Sequence, residues 1–137
     1  MDPTLIEGLQ TPVIVDDALY VTFAFSGQVR RLELSPLVED CTANLSTLDI
    51  ILGQVPNDMD QVGNELWITH SGENHILRVN LQDQSRQSVL VLPVSSNPWH
   101  FEANPQSKIG AISLWNLNAI GLVKLPTTPT ETENLEN

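Results

Sequence analysis

Val62-Gly63-Asn64-Glu65-Leu66-Trp67-Ile68-Thr69 repeats the pattern of Val15-Asp16-Asp17-Ala18-Leu19-Tyr20-Val21-Thr22, 47 residues earlier. The match continues without a gap, Val29-Arg30-Arg31-Leu32-Glu33-Leu34 falling on Ile76-Leu77-Arg78-Val79-Asn80-Leu81. A third copy lies 44 residues further on: Ile112-Ser113 falls on Ile68-Thr69, and Ile120, Val123 and Leu125 fall on Ile76, Val79 and Leu81. An ordered series of copies at near-constant spacing marks a repeat architecture, in which each copy is one supersecondary unit.

Within each copy the periodicity is that of β-structure. Leu77, Val79 and Leu81 alternate with Arg78 and Asn80, and Leu32 and Leu34 alternate with Arg31 and Glu33. Leu66-Trp67-Ile68-Thr69 and Val89-Leu90-Val91-Leu92 are short, apolar and β-prone, as strands covered on both faces are. Gly63-Asn64, Ser71-Gly72-Glu73-Asn74 and Asn104-Pro105-Gln106-Ser107 carry turn chemistry. No stretch shows convincing helical spacing. The middle copy predicts strands near 58–62, 65–70, 75–81 and 86–92, and the first near 12–16, 18–24, 28–34 and 47–52. The third predicts strands near 99–103, 108–114 and 119–125, with its fourth missing. Residues 4–9 read as a stray outer strand, placed like the fourth strand of a preceding unit. Four strands every 40–45 residues is the signature of a β-propeller blade. The expected fold is therefore all-β: about three four-stranded antiparallel blades at 10–53, 54–93 and 94–125, followed by an acidic, disordered tail at 126–137.

Composition narrows the function classes. The chain has 137 residues, a formal charge of −11 and 41% hydrophobic residues, enough for a packed core. Seventeen acids against six bases exclude nucleic acid and anionic lipid as expected partners. No apolar run approaches the roughly 18–20 residues of a membrane span, and no signal peptide opens the chain. A single cysteine, Cys41, excludes an internal disulfide framework and a cysteine-rich zinc site. Phosphate-binding, nucleophile-elbow, zincin and dinucleotide motifs are all missing from the sequence, as is a haem-attachment motif, so no cofactor is expected and the balance is against an enzyme.

The repeats resemble the YVTN family of β-propellers and, more loosely, NHL-type and other WD40-like propellers. Leu19-Tyr20-Val21-Thr22 and Leu66-Trp67-Ile68-Thr69 stand where that family has Leu-Tyr-Val-Thr. Ser71-Gly72-Glu73-Asn74 resembles its Ser-Gly-x-Asn hairpin, and Ser96-Asn97-Pro98-Trp99 the start of a blade, with His100 in place of glycine. Phe23-Ala24-Phe25 and Leu114-Trp115-Asn116-Leu117-Asn118 depart from the pattern. The resemblance covers residues 4–125. It implies an extracytoplasmic setting (periplasm, envelope or secreted) and a fold shared by binding proteins, lyases and scaffolds alike.

Candidate site residues follow from the blade layout. Innermost strands line a propeller's channel, and Asp58, Asp60, His100 and Glu102 fall on them; Asp16 and Asp17 occupy an inner hairpin. Carboxylates there can bind a cation or a basic peptide, so Asp58, Asp60, His100 and Glu102 are the expected ligand-binding residues. His70 and His75 flank a hairpin and can approach across it, but read more simply as exposed turn residues, and no metal is expected. Trp67, Trp99 and Trp115 read as packing residues. Asn44-Leu45-Ser46 is a glycosylation sequon. Closed rings take about 4–8 blades. About three blades leave an open arc or part of a larger ring: the chain reads either as a fragment of a longer propeller, the preferred reading, or as a unit that self-associates through its open blade faces. The functional expectation is a non-enzymatic binding or scaffold module presenting loops and an acidic channel mouth to a protein, peptide or cation. Its alternatives are a lyase-like propeller enzyme at His100 and Glu102 and an inactive fragment.

Overall fold

The computed structural model describes residues 8–34, 46–51 and 55–127. Among these residues eleven strands form three antiparallel sheets. The first is β1 (Leu9–Val15), β2 (Ala18–Phe23), β3 (Gln28–Glu33) and β4 (Ser46–Ile51). The second is β5 (Pro56–Val62), β6 (Glu65–His70), β7 (His75–Asn80) and β8 (Arg86–Val91). The third is β9 (Pro98–Asn104), β10 (Ile109–Leu114) and β11 (Ala119–Lys124), joined in meander order like the others. Each sheet is a propeller blade, and the third has three strands among the described residues.

Local chemistry sets the strand ends. The four-residue loops between second and third strands all close on a residue of positive φ: Gly27 at 64°, Asn74 at 51° and Asn118 at 48°. Glycine has no Cβ to clash there, and asparagine tolerates the left-handed region better than other side chains. The departing segment Leu114–Asn118 thus keeps the loop's length and closure; it forms a short 3-10 turn at Trp115–Leu117. Asn74 does more than turn. Its Oδ1 accepts from the Ser96 hydroxyl (3.3 Å) and the Asn97 backbone N–H (3.1 Å), tying the loop to the segment that enters β9.

Two apolar layers hold the blades together. Val15, Ala18, Tyr20 and Val29 of the first blade pack on Met59, Leu66, Ile68, Leu77 and Val79 of the second. The other face of the second blade offers Val62, Trp67, Ile76 and Leu92 to Phe101, Ile112 and Leu114 of the third. Blade two is therefore covered on both faces, which explains why β6 reads as an unbroken apolar run. Trp67 and Phe101 stack at 5.5 Å and 15°. Each aromatic buries about 150–250 Å², an upper bound of about 4–6 kcal/mol apiece at about 25 cal/mol per Å².

Three expectations need correction or placing. Trp67 is buried as expected, but Trp99 is 36% and Trp115 70% exposed, because among the described residues no further blade covers their end of blade three. His70 is fully buried rather than an exposed turn residue. It follows Ile68 on the face of β6 turned to the first blade, where alternation carries the core to the strand's last residue. Leu9, the end of the expected stray strand, pairs with Phe23 as the first residue of β1; residues 4–7, Cys41, the Asn44 sequon and the tail beyond Thr127 lie outside the described residues.

Candidate functional site

Each innermost strand carries the same irregularity. In β5 the register jumps between Pro56↔His70 and Met59↔Ile68, so Asn57 and Asp58 oppose Thr69 alone. In β1 the pair opposite Thr22 is Gln10 and Thr11, and in β9 the pair opposite Ser113 is Trp99 and His100. A bulge of this kind leaves backbone groups without ladder partners. The hydroxyl opposite supplies them. Thr69 Oγ1 accepts from the Asp58 N–H (3.0 Å), and Ser113 Oγ from the His100 N–H (2.9 Å). Two hydroxyls of this column reach across to the next blade: Thr22 Oγ1 donates to the Asn57 carbonyl (3.0 Å) and Thr69 Oγ1 lies 3.1 Å from the Trp99 carbonyl.

Carboxylates make a second stitch between inner strands. Asp58 Oδ2 accepts from the Phe101 N–H (2.9 Å), and Asp60 Oδ2 from the Ala103 N–H (2.8 Å). Asp60 Oδ1 also accepts from the Gln61 N–H (2.8 Å). Of the four sequence-selected residues, two therefore hold the neighbouring blade's backbone. Asp58 also brings His100 in, with Nδ1 at 3.3 Å from Oδ2. Asp58 is buried, whereas the His100 side chain is 70% exposed. His100 and Glu102 occupy in β9 the register positions that Asp58 and Asp60 hold in β5.

His100 and Glu102 consequently belong to the outer face of blade three. Beside them stand Ala111, Ser113, Ile120 and Leu122, the last two 75% and 72% exposed. A hollow of about 320 Å³ opens between Asp58, His100, Glu102, Ser113 and Ile120. A larger one, about 490 Å³, lies at the opposite end of the second and third blades, away from these residues. On its wall Glu65 takes a two-pronged contact from Arg78 (2.6 Å each) and one from the Trp67 indole N–H (3.0 Å). Burial pushes the Glu65 carboxyl up, and these donors together outweigh it, holding the group below its ordinary value.

Sequence reasoning missed the hydroxyl bridge. The signal was present as the Thr22, Thr69, Ser113 column of the repeat, but it read only as the polar end of a β-strand.

No family model matches the sequence, and no curated protein does. Solved structures do. A streptogramin B lyase superposes with a TM-score of 0.67 at 12% identity over 92% of this chain and 43% of its own. A proposed 6-phosphogluconolactonase from Bacteroides uniformis gives 0.71 at 11% identity over 88% of this chain and 38% of its own. The extracellular domain of BT4673 from B. thetaiotaomicron gives 0.62 at 12% identity over 87% and 14%. These are β-propeller-like proteins, and at such identities the likeness establishes the fold alone. The chain spans less than half the length of each. Among the described residues no helix is long and apolar enough to cross a membrane.

Proposed function

We propose that the chain is a non-enzymatic scaffold and binding module of the β-propeller type, completed by a second copy of itself whose first blade docks on the outer face of blade three. The observation that carries this reading is the repeated bridge set. Thr22 and Thr69 each meet the next inner strand, and Ser113 and Glu102 present the corresponding hydroxyl and carboxylate on a face that lacks a blade in the described chain.

The partner strand fits by register. Phe101 of β9 corresponds to Pro12 of β1, since they oppose Ile112 and Val21 at equivalent positions. Blade two offers the Asp58 carboxylate to the Phe101 N–H. Blade three has His100 at that position, and Pro12 has no N–H for a carboxylate to meet. Ala103 corresponds to Ile14, which keeps its N–H for Glu102 and is 64% exposed. Area favours closure over an open chain. Three strands about 20 Å long at about 4.8 Å spacing offer about 290 Å² per face. One contact between two such faces falls well short of the roughly 1,200 Å² of a stable interface, whereas two contacts in a closed pair approach it. Two copies give six blades, within the usual range of about 4–8.

In such a ring Asp58, Asp60, His100 and Glu102 lie on the strands around the channel; Asp58 and Asp60 each give one carboxylate oxygen to the next blade's backbone, and the channel mouth takes a peptide, protein or cation. The finer YVTN-type assignment is supported by Leu66–Thr69 and Ser71–Asn74. A second, enzymatic reading is favoured by the Asp58–His100 pair beside an open hollow, the arrangement a general base requires; His100→Ala abolishes any turnover found if that reading holds.

Light scattering across concentration tests the assembly. The expected result is a particle of discrete mass, twice the chain, which Leu122→Asp converts to monomer. A monodisperse monomer at every concentration, or polydisperse aggregate, overturns the reading and leaves the outer face to further blades of a longer chain.

A further inference from the structure

The end of the β6–β7 hairpin, far from the bridge set, gathers three metal-ligating side chains. His70 closes β6, His75 opens β7 directly opposite, and Glu73 stands in the loop between them. One ligand atom from each can be chosen so that all lie within 4.8 Å of one another. The imidazoles lie face to face, centroids 4.9 Å apart and planes 21° apart, and His75 Nδ1 is 3.6 Å from a Glu73 carboxylate oxygen. His70 is fully buried. His75 Nε2 is buried and has no hydrogen-bond partner among the described residues. The fully buried His70 and the half-buried His75 stand on the strand faces that carry the apolar layer of Leu66, Ile68 and Leu77.

We propose that His70, Glu73 and His75 form a binding site for a divalent transition-metal ion of the zinc class, with the fourth position open. Two imidazole nitrogens and one carboxylate oxygen suit a borderline ion rather than Ca²⁺ or Mg²⁺, which take oxygen ligands. Bonds of about 2.0–2.1 Å place tetrahedral ligands about 3.4 Å apart. The three groups need to close by about 1.5 Å at most from their present spacing. Glu73 can supply its part of that movement from an exposed loop, and the two imidazoles supply theirs by turning about their side-chain torsions out of the stacked arrangement. Strand pairing fixes the backbone positions of the two histidines directly opposite each other. The chain's charge of −11 raises the local cation concentration. Bound metal would clamp the hairpin at the face between the first and second blades. The site is independent of the proposed ring, since none of its residues lies on the outer face of blade three.

The test is calorimetric titration of the chelator-treated full chain with Zn²⁺, paired with the visible spectrum of the Co²⁺ adduct. One ion per chain and an intense tetrahedral Co²⁺ band are expected, with no comparable binding of Mg²⁺. Glu73→Gln, in an exposed loop, retains the fold and weakens Zn²⁺ binding at least tenfold; His75→Gln abolishes the Co²⁺ band. Binding unchanged in Glu73→Gln and His75→Gln overturns the proposal and assigns the ion to the chain's other carboxylates. Absence of Zn²⁺ binding to the folded protein overturns it as well.

Discussion

Replacing Thr69 by valine tests the bridge between inner strands with almost no change of shape. Valine keeps the β-branched outline, so no cavity forms, and only the hydroxyl is lost. That hydroxyl accepts the buried Asp58 N–H at 3.0 Å and lies within 3.1 Å of the Trp99 carbonyl. Each buried group left without a partner costs about 1–3 kcal/mol. The sum, reduced because the Trp99 carbonyl can find water, is about 2–4 kcal/mol. Thr22→Val removes one donor, to the Asn57 carbonyl, and is expected to cost about 1–2 kcal/mol. Ser113→Ala exposes the His100 N–H on an open face, where water replaces the hydroxyl, and costs no more than about 0.5 kcal/mol in the monomer. Guanidinium unfolding read by tryptophan fluorescence gives all three values, at concentrations where scattering shows monomer. Equal costs at the three positions, or a Thr69→Val cost below about 1 kcal/mol, would refute the argument that this hydroxyl column joins the blades.

Further expectations concern the interior, the loops and pH. Phe101→Ala, which empties the site stacked on Trp67, is expected to lower stability by about 3–5 kcal/mol in the same unfolding assay. Gly110→Ala puts a Cβ 2.6 Å from Phe101 Cε2 and is expected to cost about 1–3 kcal/mol, partly recovered in the double variant with Phe101→Leu. Asn74→Ala loses the left-handed preference and the contacts to Ser96 and Asn97, for a loss of about 2–3 kcal/mol; Asn118→Gly, at the equivalent position, raises the melting temperature slightly. The Glu65 carboxyl is held below its ordinary value of 4.5 in the folded chain, so its contribution is present above about 4.5 and lost as pH falls through the lower folded value. Stability measured between pH 5 and about pH 3 is therefore expected to fall faster for the unaltered chain than for Glu65→Gln, and parallel curves exclude a role for this carboxylate.

Strand order, spacing and turn positions could be read from the repeat because they depend on local rules. Alternation, turn residues and the need for a buried middle strand act over a few residues, so Leu66–Thr69 and Leu77–Leu81 declare themselves without a neighbour. The same logic placed Asp58, Asp60, His100 and Glu102 on innermost strands. What each of them touches was beyond local rules. Whether Asp58 meets solvent or the Phe101 N–H depends on a strand 43 positions away, brought beside it by blade packing. Trp67 and Trp115 have the same side chain, yet one is buried and one exposed, because a third blade covers the first and no further blade among the described residues covers the second. His70 likewise reads as a hairpin end, and only the first blade's presence makes it a fully buried imidazole beside His75. The period of two fixes which side chains share a face, while the identity of the surface opposite that face, and with it every candidate function, is settled by contacts between blades.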